Sequence, residues 1–227
     1  MTHILSALGC SDEILASVAK ALPTDVRDLD MRGDVASVSD VRAFVAQADP
    51  AMTHFTLVIG TGLAGAITPA DWQGGVMHPL QLAFGLVTGA ALRFRALGAG
   101  AITIVVPSSG LLPIDLPTTG SVLFRAIVGM GEALRAELAA VKDVRVGIVF
   151  YDPDEIETDI FSDRVRDGVE RGAMYGLSPR LTRERIETYF ATMLAEVDLA
   201  SAGPPLPDIG PMAAVYDRAA IGAPAGR

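Results

Sequence analysis

Two adjacent serines, Ser108 and Ser109, close an apolar run that passes through Ile104, Val105, Val106 and Pro107. A hydroxyl at a strand end sits where α/β proteins hold their ligands. To attack anything it needs a base, and the three histidines, His3, His54 and His78, are scattered along the chain. A serine without a base is more often a loop or capping residue than a nucleophile. A second cluster, Tyr151, Asp152, Asp154 and Glu155, follows the apolar run Val144 to Phe150 and offers carboxylates beside a phenol. Acidic side chains commonly crowd such loops, so a solvated loop is the expected reading. No His, Cys, Asp or Glu spacing resembles a metal site. Cys10 is the one cysteine, with no Lys or His beside it, and reads as a small turn or core residue.

The elements that must position these groups alternate. His3 to Leu8 reads as a strand ending at Gly9, and Asp12 to Leu22 carries Ile14, Leu15, Val18, Ala19 and Leu22 at helical spacing. A helix follows over Ala36 to Ala46. His54 to Ile59, closed by Gly60-Thr61-Gly62, reads as a strand buried on both faces. Val76 to Leu97 is a long apolar helix, Ala101 to Val106 a strand, Thr118 to Val141 a helix and Val144 to Phe150 a strand. The pattern predicts a doubly wound, Rossmann-like α/β sheet, parallel and flanked by helices, in one domain over residues 1–227. Within it, 1–160 forms the core and 161–227 a variable region. That region is charged from Asp163 to Arg185, helical from Arg183 to Val197, proline-rich from Ser201 to Pro211, and ends in a possible strand at Met212 to Tyr216.

Charge and composition exclude several classes. A net charge of −9 with no basic patch argues against nucleic acid, whose binding is driven by Lys and Arg displacing counterions. The tract Leu80 to Leu92 is interrupted by Gln81, Gly85, Thr88 and Gly89 and falls short of the roughly 20 residues that span a bilayer, so no membrane partner is expected. Leu8-Gly9-Cys10 lacks the charged and apolar segments of a lipoprotein signal before it, so export is not expected. A lone cysteine forms no intrachain disulfide and suits a reducing cytoplasm.

Several strings, taken in order, carry a resemblance. They are Asp34-Val35 before a helix, Leu57-Val58-Ile59-Gly60-Thr61-Gly62, Ile104 to Ser109, Glu132 to Leu138, and Arg145-Val146 followed by Glu157-Thr158-Asp159. From about residue 3 to residue 160 the chain resembles the short-chain dehydrogenase/reductase family. The resemblance implies NAD(P) chemistry, a catalytic serine at the Ser108 and Ser109 position, a tyrosine acid/base with a lysine one turn later, and an assisting asparagine. Aligned on Glu137-Leu138, the tyrosine position falls on Gly120, the lysine on Phe124 and the asparagine near Pro79. No tyrosine or lysine lies between Ala101 and Val141, so a shift of register does not restore them. Arg125 is permanently protonated and faces another side of the helix. In the family's phosphate loop, Gly9 is followed by Glu13 and Leu15 where further glycines belong, which places a carboxylate and an isobutyl group in phosphate space. The 25 residues from Gly9 to Asp34 are fewer than the roughly 30 of a full βαβ unit, so the second βα unit is expected to be shortened. Asp28 or Asp30 would be the ribose acid, if not simply a surface charge.

The expected fold therefore survives without its proton donor or cofactor loop. In the family the two long helices form a four-helix subunit interface, and here Phe84, Thr88, Ala91, Val122, Arg125, Gly129 and Ala133 would line it. The resemblance implies a non-catalytic subunit that binds no cofactor itself. Its partner would be an active, NAD(P)-bearing relative, met as α2β2, acting on a hydroxyacyl-CoA, alcohol or ketone. Two alternatives stay open: a divergent reductase active by itself, and a homo-oligomeric protein binding a small apolar ligand.

Overall fold

The computed structural model describes residues 2–22, 26–28, 41–43, 45, 50–63, 72–112, 119–156, 159–171, 175–177 and 183–201. Asp30, Asp34-Val35, Glu157-Thr158, the loop beyond Ser201 and Met212 to Tyr216 lie outside them. The chain divides into two compact units, Met1–Thr182 and Arg183–Arg227. The first is a six-stranded parallel sheet in the order β2-β1-β3-β4-β5-β6. Its strands are β1 (Thr2–Leu8), β2 (Val26–Asp28), β3 (Met52–Ile59), β4 (Ala99–Pro107), β5 (Asp143–Tyr151) and β6 (Tyr175–Gly176). The direction of winding reverses between β1 and β3, the switch point at which such sheets form their ligand crevice.

Helices cover the two faces. On one, α1 (Asp12–Ala21) and α4 (Asp159–Arg171) pack Ile14, Val18, Phe161, Val165 and Val169 onto Leu5, Val58, Val105, Val149 and Tyr151. On the other lie α2 (His78–Leu97) and α3 (Thr119–Leu138). A Cβ on Gly131 of α3 would stand 3.0 Å from both Ile104 and Ile148, so glycine there lets the helix sit close on β4 and β5. The second unit contains α5 (Arg183–Ser201), where the sequence predicts a helix ending at Val197.

Local chemistry explains the boundaries. Ser11 caps α1 by accepting from Ile14 N, at 3.4 Å. A π-helical turn, Gln73–Met77, leads into α2, which has Pro79 in its first turn and ends at Gly98 with φ 76°, the left-handed C-cap that glycine adopts without strain. Together Gln73–Leu97 is long and apolar enough to cross a membrane by length and composition, longer than the tract from Leu80 to Leu92. Half of its most apolar window is buried within the protein.

The sheet unit continues past residue 160 to Thr182, beyond the limit expected for the core. The charge-rich stretch contains α4, whose Phe161, Val165 and Val169 recur every four residues and are buried while the charges face outward. Beyond it, among the described residues, β6 pairs with Ile148 and Val149 of β5. On that same edge, Arg135 Nη1 donates to Val146 O at 2.9 Å and Arg164 Nη1 to Phe150 O at 3.3 Å. Of the second βα unit the structure describes the strand residues Val26–Asp28, paired with His3, Ile4 and Leu5 of β1.

Candidate functional site

The carboxyl ends of the strands bring Gly9, Gly60, Ser108, Tyr151 and Asp152 toward one another, and several of their polar atoms bond within the chain. Ser108 Oγ donates to Asp152 Oδ1 at 2.5 Å, with both residues buried. Tyr151 is fully buried and its hydroxyl donates to Ile59 O at 2.8 Å. Burial, with Cys10 nearby as the lesser cause, pushes the Tyr151 phenol far above its ordinary value, so it gives up no proton near neutral pH. Cys10 Sγ lies 3.5 Å from Val58 O and 3.7 Å from Leu8 O, and burial pushes its thiol up to about 12.

These contacts correct the expectation of a solvated acidic loop. Only Asp154 is exposed; Tyr151 and Asp152 are buried, and Glu155 pairs with Arg164 at 3.2 Å with both side chains largely covered. The cause is the short turn Pro153–Glu155, which folds Asp152 back under the end of β4. Ser109 is half-buried in the turn Ser108–Gly110.

The positions assigned to the lost proton-transfer groups are all internal. Gly120 and Phe124 lie on the buried side of α3, and a Cβ on Gly110 would stand 3.1 Å from that of Phe124. Phe124 therefore plugs the space beside the turn after β4, where the resemblance implies a lysine. Pro79 is buried in the first turn of α2 and has no hydrogen to donate from its backbone nitrogen.

The turn after β1 was tested for fit to the dinucleotide that the resemblance implies. Gly9 has φ 62°, and the space its Cβ would take is filled by Leu63, whose Cγ would be 2.4 Å away. Gly60 N donates to Leu8 O at 2.8 Å and Gly62 N to Gly9 O at 3.1 Å, which ties the two loops of the switch point together. Asp12 and Glu13 are exposed in the first turn of α1, where their carboxylates answer the helix dipole and oppose a phosphate. Leu15 is half-buried against the core cluster under α1, so of the two residues expected to crowd the phosphate position only Glu13 stands at the surface. A pyrophosphate needs amides and cations; this turn presents two carboxylates, and the residues do not suit the group.

The outer face of α2 and α3 differs. A groove of about 520 Å³ runs between the helices, lined chiefly by Met77, Leu80, Phe84, Ala126, Met130 and Ala133, nearly all apolar. Phe84 is 44 % exposed and Val122 38 %, while Arg125, Gly129 and Ala133 are also exposed and Thr88 is half-buried. Ala91, expected on this face, is 6 % exposed and points inward; the exposed track runs instead through Phe84, Thr88, Leu92 and Arg95. Arg95 Nη1 meets Oε1 of Glu137, a residue of the groove, at 3.2 Å. The Arg42 guanidinium lies 5.6 Å from the centre of the Phe84 ring and donates to Thr88 Oγ1 at 3.2 Å. The sequence places Ala126 on the same side of its helix as Val122, Gly129 and Ala133, but did not single out Met77, Leu80 and Met130, although all three lie within its two apolar helical runs.

Among solved structures, the chain is similar to a bulky-bulky ketone specific alcohol dehydrogenase from Comamonas testosteroni, with TM-score 0.63 and 16% identity over 92% of this chain and 98% of that one. It is similar to a short-chain dehydrogenase from Sphingobium yanoikuyae, in complex with NADPH, with TM-score 0.62 and 15% identity over 92% and 99%. A putative short-chain dehydrogenase from Novosphingobium aromaticivorans gives TM-score 0.64 and 11% identity over 96% and 94%. No protein-family model and no curated protein matches the chain. The parallel, helix-flanked sheet is thus the Rossmann-like fold of short-chain dehydrogenases.

Proposed function

We propose that this protein is a non-catalytic member of the short-chain dehydrogenase family. It pairs through α2 and α3 with an active, NAD(P)-bearing relative, as an α2β2 assembly in the cytoplasm, and stabilises or shapes that relative's substrate pocket. The reaction would be oxidoreduction of a hydroxyacyl-CoA, an alcohol or a ketone, with this chain holding no cofactor.

The observation that carries the reading is Gly129. It lies in the middle of α3, is exposed, and a Cβ there would have nothing within 4 Å. A glycine inside a helix costs about 0.5–1 kcal/mol relative to alanine, and among the described residues no contact accounts for it. A second helix crossing closely at Gly129 does account for it, and the apolar groove beside it gives that helix's side chains a seat. Gly120, Phe124, Glu13 and the Ser108 to Asp152 bond support the other half of the proposal, because they remove or engage each group that hydride chemistry requires.

Purification of the native, untagged protein followed by mass spectrometry of the intact complex tests the proposal. The expected result is a stoichiometric second dehydrogenase with an intact glycine loop and a Tyr/Lys pair. A homo-oligomer carrying NAD(H) would overturn it in favour of a reductase active by itself. A homo-oligomer without nucleotide that is stabilised by apolar compounds would favour a ligand-binding protein.

A further inference from the structure

Strands of a parallel sheet are covered on both faces, so their inward rows are ordinarily apolar. Near the amino ends of β1 and β3 one row departs from this. His3 and His54 are partners in register, and their rings stack with centroids 5.3 Å apart and planes at 16°. By strand alternation they share the face of Leu5 and Val58, the face that α1 and α4 cover. His3 is 2 % exposed. Its Nε2 meets Thr56 Oγ1 at 2.7 Å, and among the described residues its Nδ1 has no partner. His54 Nδ1 meets Thr53 Oγ1 at 2.9 Å.

Among the described residues, no ion pair to either ring is formed. The row continues through Ala101 of β4 to Arg145 of β5, whose guanidinium donates to Glu170 O of α4 at 3.0 Å. On the other side His3 is in register with Val26 of β2. From α1 the cation is Lys20, exposed and paired with Asp159 at 3.4 Å; α4 adds Asp167 and the exposed Glu170 near its carboxyl end. After burial, the charge that acts on His3 is His54 and the charge that acts on His54 is Arg145. A second proton on His3 would therefore sit on a buried nitrogen without an acceptor, stacked against another imidazole.

We infer that the His3–His54 stack is an acid-sensitive seam: protonation of either ring opens the amino-terminal part of the β1–β3 pairing and leaves β4–β5 closed. The seam separates β2 and β1 from β3, β4 and β5, and this inference does not depend on the proposed subunit role. Burial, and secondly His54, lowers the His3 pKa to about 4, while burial, and secondly Arg145, lowers that of His54. A base whose folded pKa lies below its unfolded value contributes stability that is complete above about 6.5 and is lost as pH falls toward 4. For His3 alone, full loss amounts to a factor on the order of 100 in the folded-to-open ratio.

Hydrogen exchange of the full chain, corrected for intrinsic rates and followed by mass spectrometry from neutral to mildly acidic pH, tests the seam. Protection over residues 2–5 and 52–56 is expected to fall at least about tenfold, with little change over 101–106 and 144–150. The variants His3→Gln, which keeps a group able to bond Thr56, and His54→Gln are expected to lose that pH dependence. Equal loss across all strands, or an unchanged pH dependence in a folded glutamine variant, would overturn the inference. Should both variants fail to fold, an NMR titration of the wild-type histidines decides: a His3 ring that stays neutral well below its ordinary value supports the seam, and one that titrates near 6.5 sinks it.

Discussion

The strand ends and the outer face of α2 and α3 use their side chains in opposite ways. At the strand ends, Ser108 is bonded to Asp152, Tyr151 to Ile59 O, and the backbone of Gly60 and Gly62 to that of Leu8 and Gly9. On the helical face, Phe84, Leu92, Leu97 and Val122 remain exposed beside an apolar groove. A region whose donors and acceptors are consumed by one another is built for rigidity and has little left to offer a substrate. A face that leaves large apolar groups in water is, by contrast, the surface on which the proposed pairing rests.

The largest expected effect probes the first region. Phe124→Lys would bury an ammonium in a 3 % exposed site and cost about 3–5 kcal/mol in denaturant unfolding. Adding Gly120→Tyr is expected to yield no NAD(P)H oxidation, and a folded double variant with activity would break the comparison. On the helical face, Phe84→Asp should leave the isolated chain within about 0.5 kcal/mol of wild type, yet weaken assembly by about 2 kcal/mol or more, measured by sedimentation or native mass spectrometry. Equal losses in both would mean that Phe84 serves the chain's own packing. Ser108→Ala removes a buried hydrogen bond and should cost about 1–3 kcal/mol of stability, read from thermal or denaturant melts. An effect near zero would show that the pair does not tie β4 to β5. The smallest change has the most telling sign. Gly129→Ala should stabilise the isolated chain by about 0.5–1 kcal/mol while weakening assembly, whereas stabilisation of both would remove the helix-crossing argument.

Much of the fold was legible because its strands are buried on two faces. Met52–Ile59 and Ala99–Pro107 announce themselves by runs rich in apolar and β-branched residues, and no competing helical period disturbs them. The helix α4 carried a four-residue apolar spacing at Phe161, Val165 and Val169, but its charges masked it when the segment was read by polarity. Two residues of β6 give no pattern; their partners on β5 define them. At the site, the missing tyrosine and lysine were readable residue by residue. The Ser108 to Asp152 bond was not, since it joins positions 44 apart and depends on how a three-residue turn aims one carboxylate. The inward turn of Ala91 was missed for a related reason: steps of four along α2 keep Thr88 and Leu92 outward and leave Ala91 on the sheet side.

The margin of β5 bears on how this protein avoids the wrong kind of self-association. A long strand bordered by a two-residue neighbour would ordinarily template foreign backbone and seed aggregation. The guanidinium groups of Arg135 and Arg164 occupy the carbonyls of Val146 and Phe150 on either side of that short neighbour. An incoming strand would have to displace two cations from those acceptors. Growth by strand addition is thus discouraged along this margin, and replacing either arginine with a short neutral residue should raise the propensity to form β-rich aggregates on mild heating, visible as thioflavin binding.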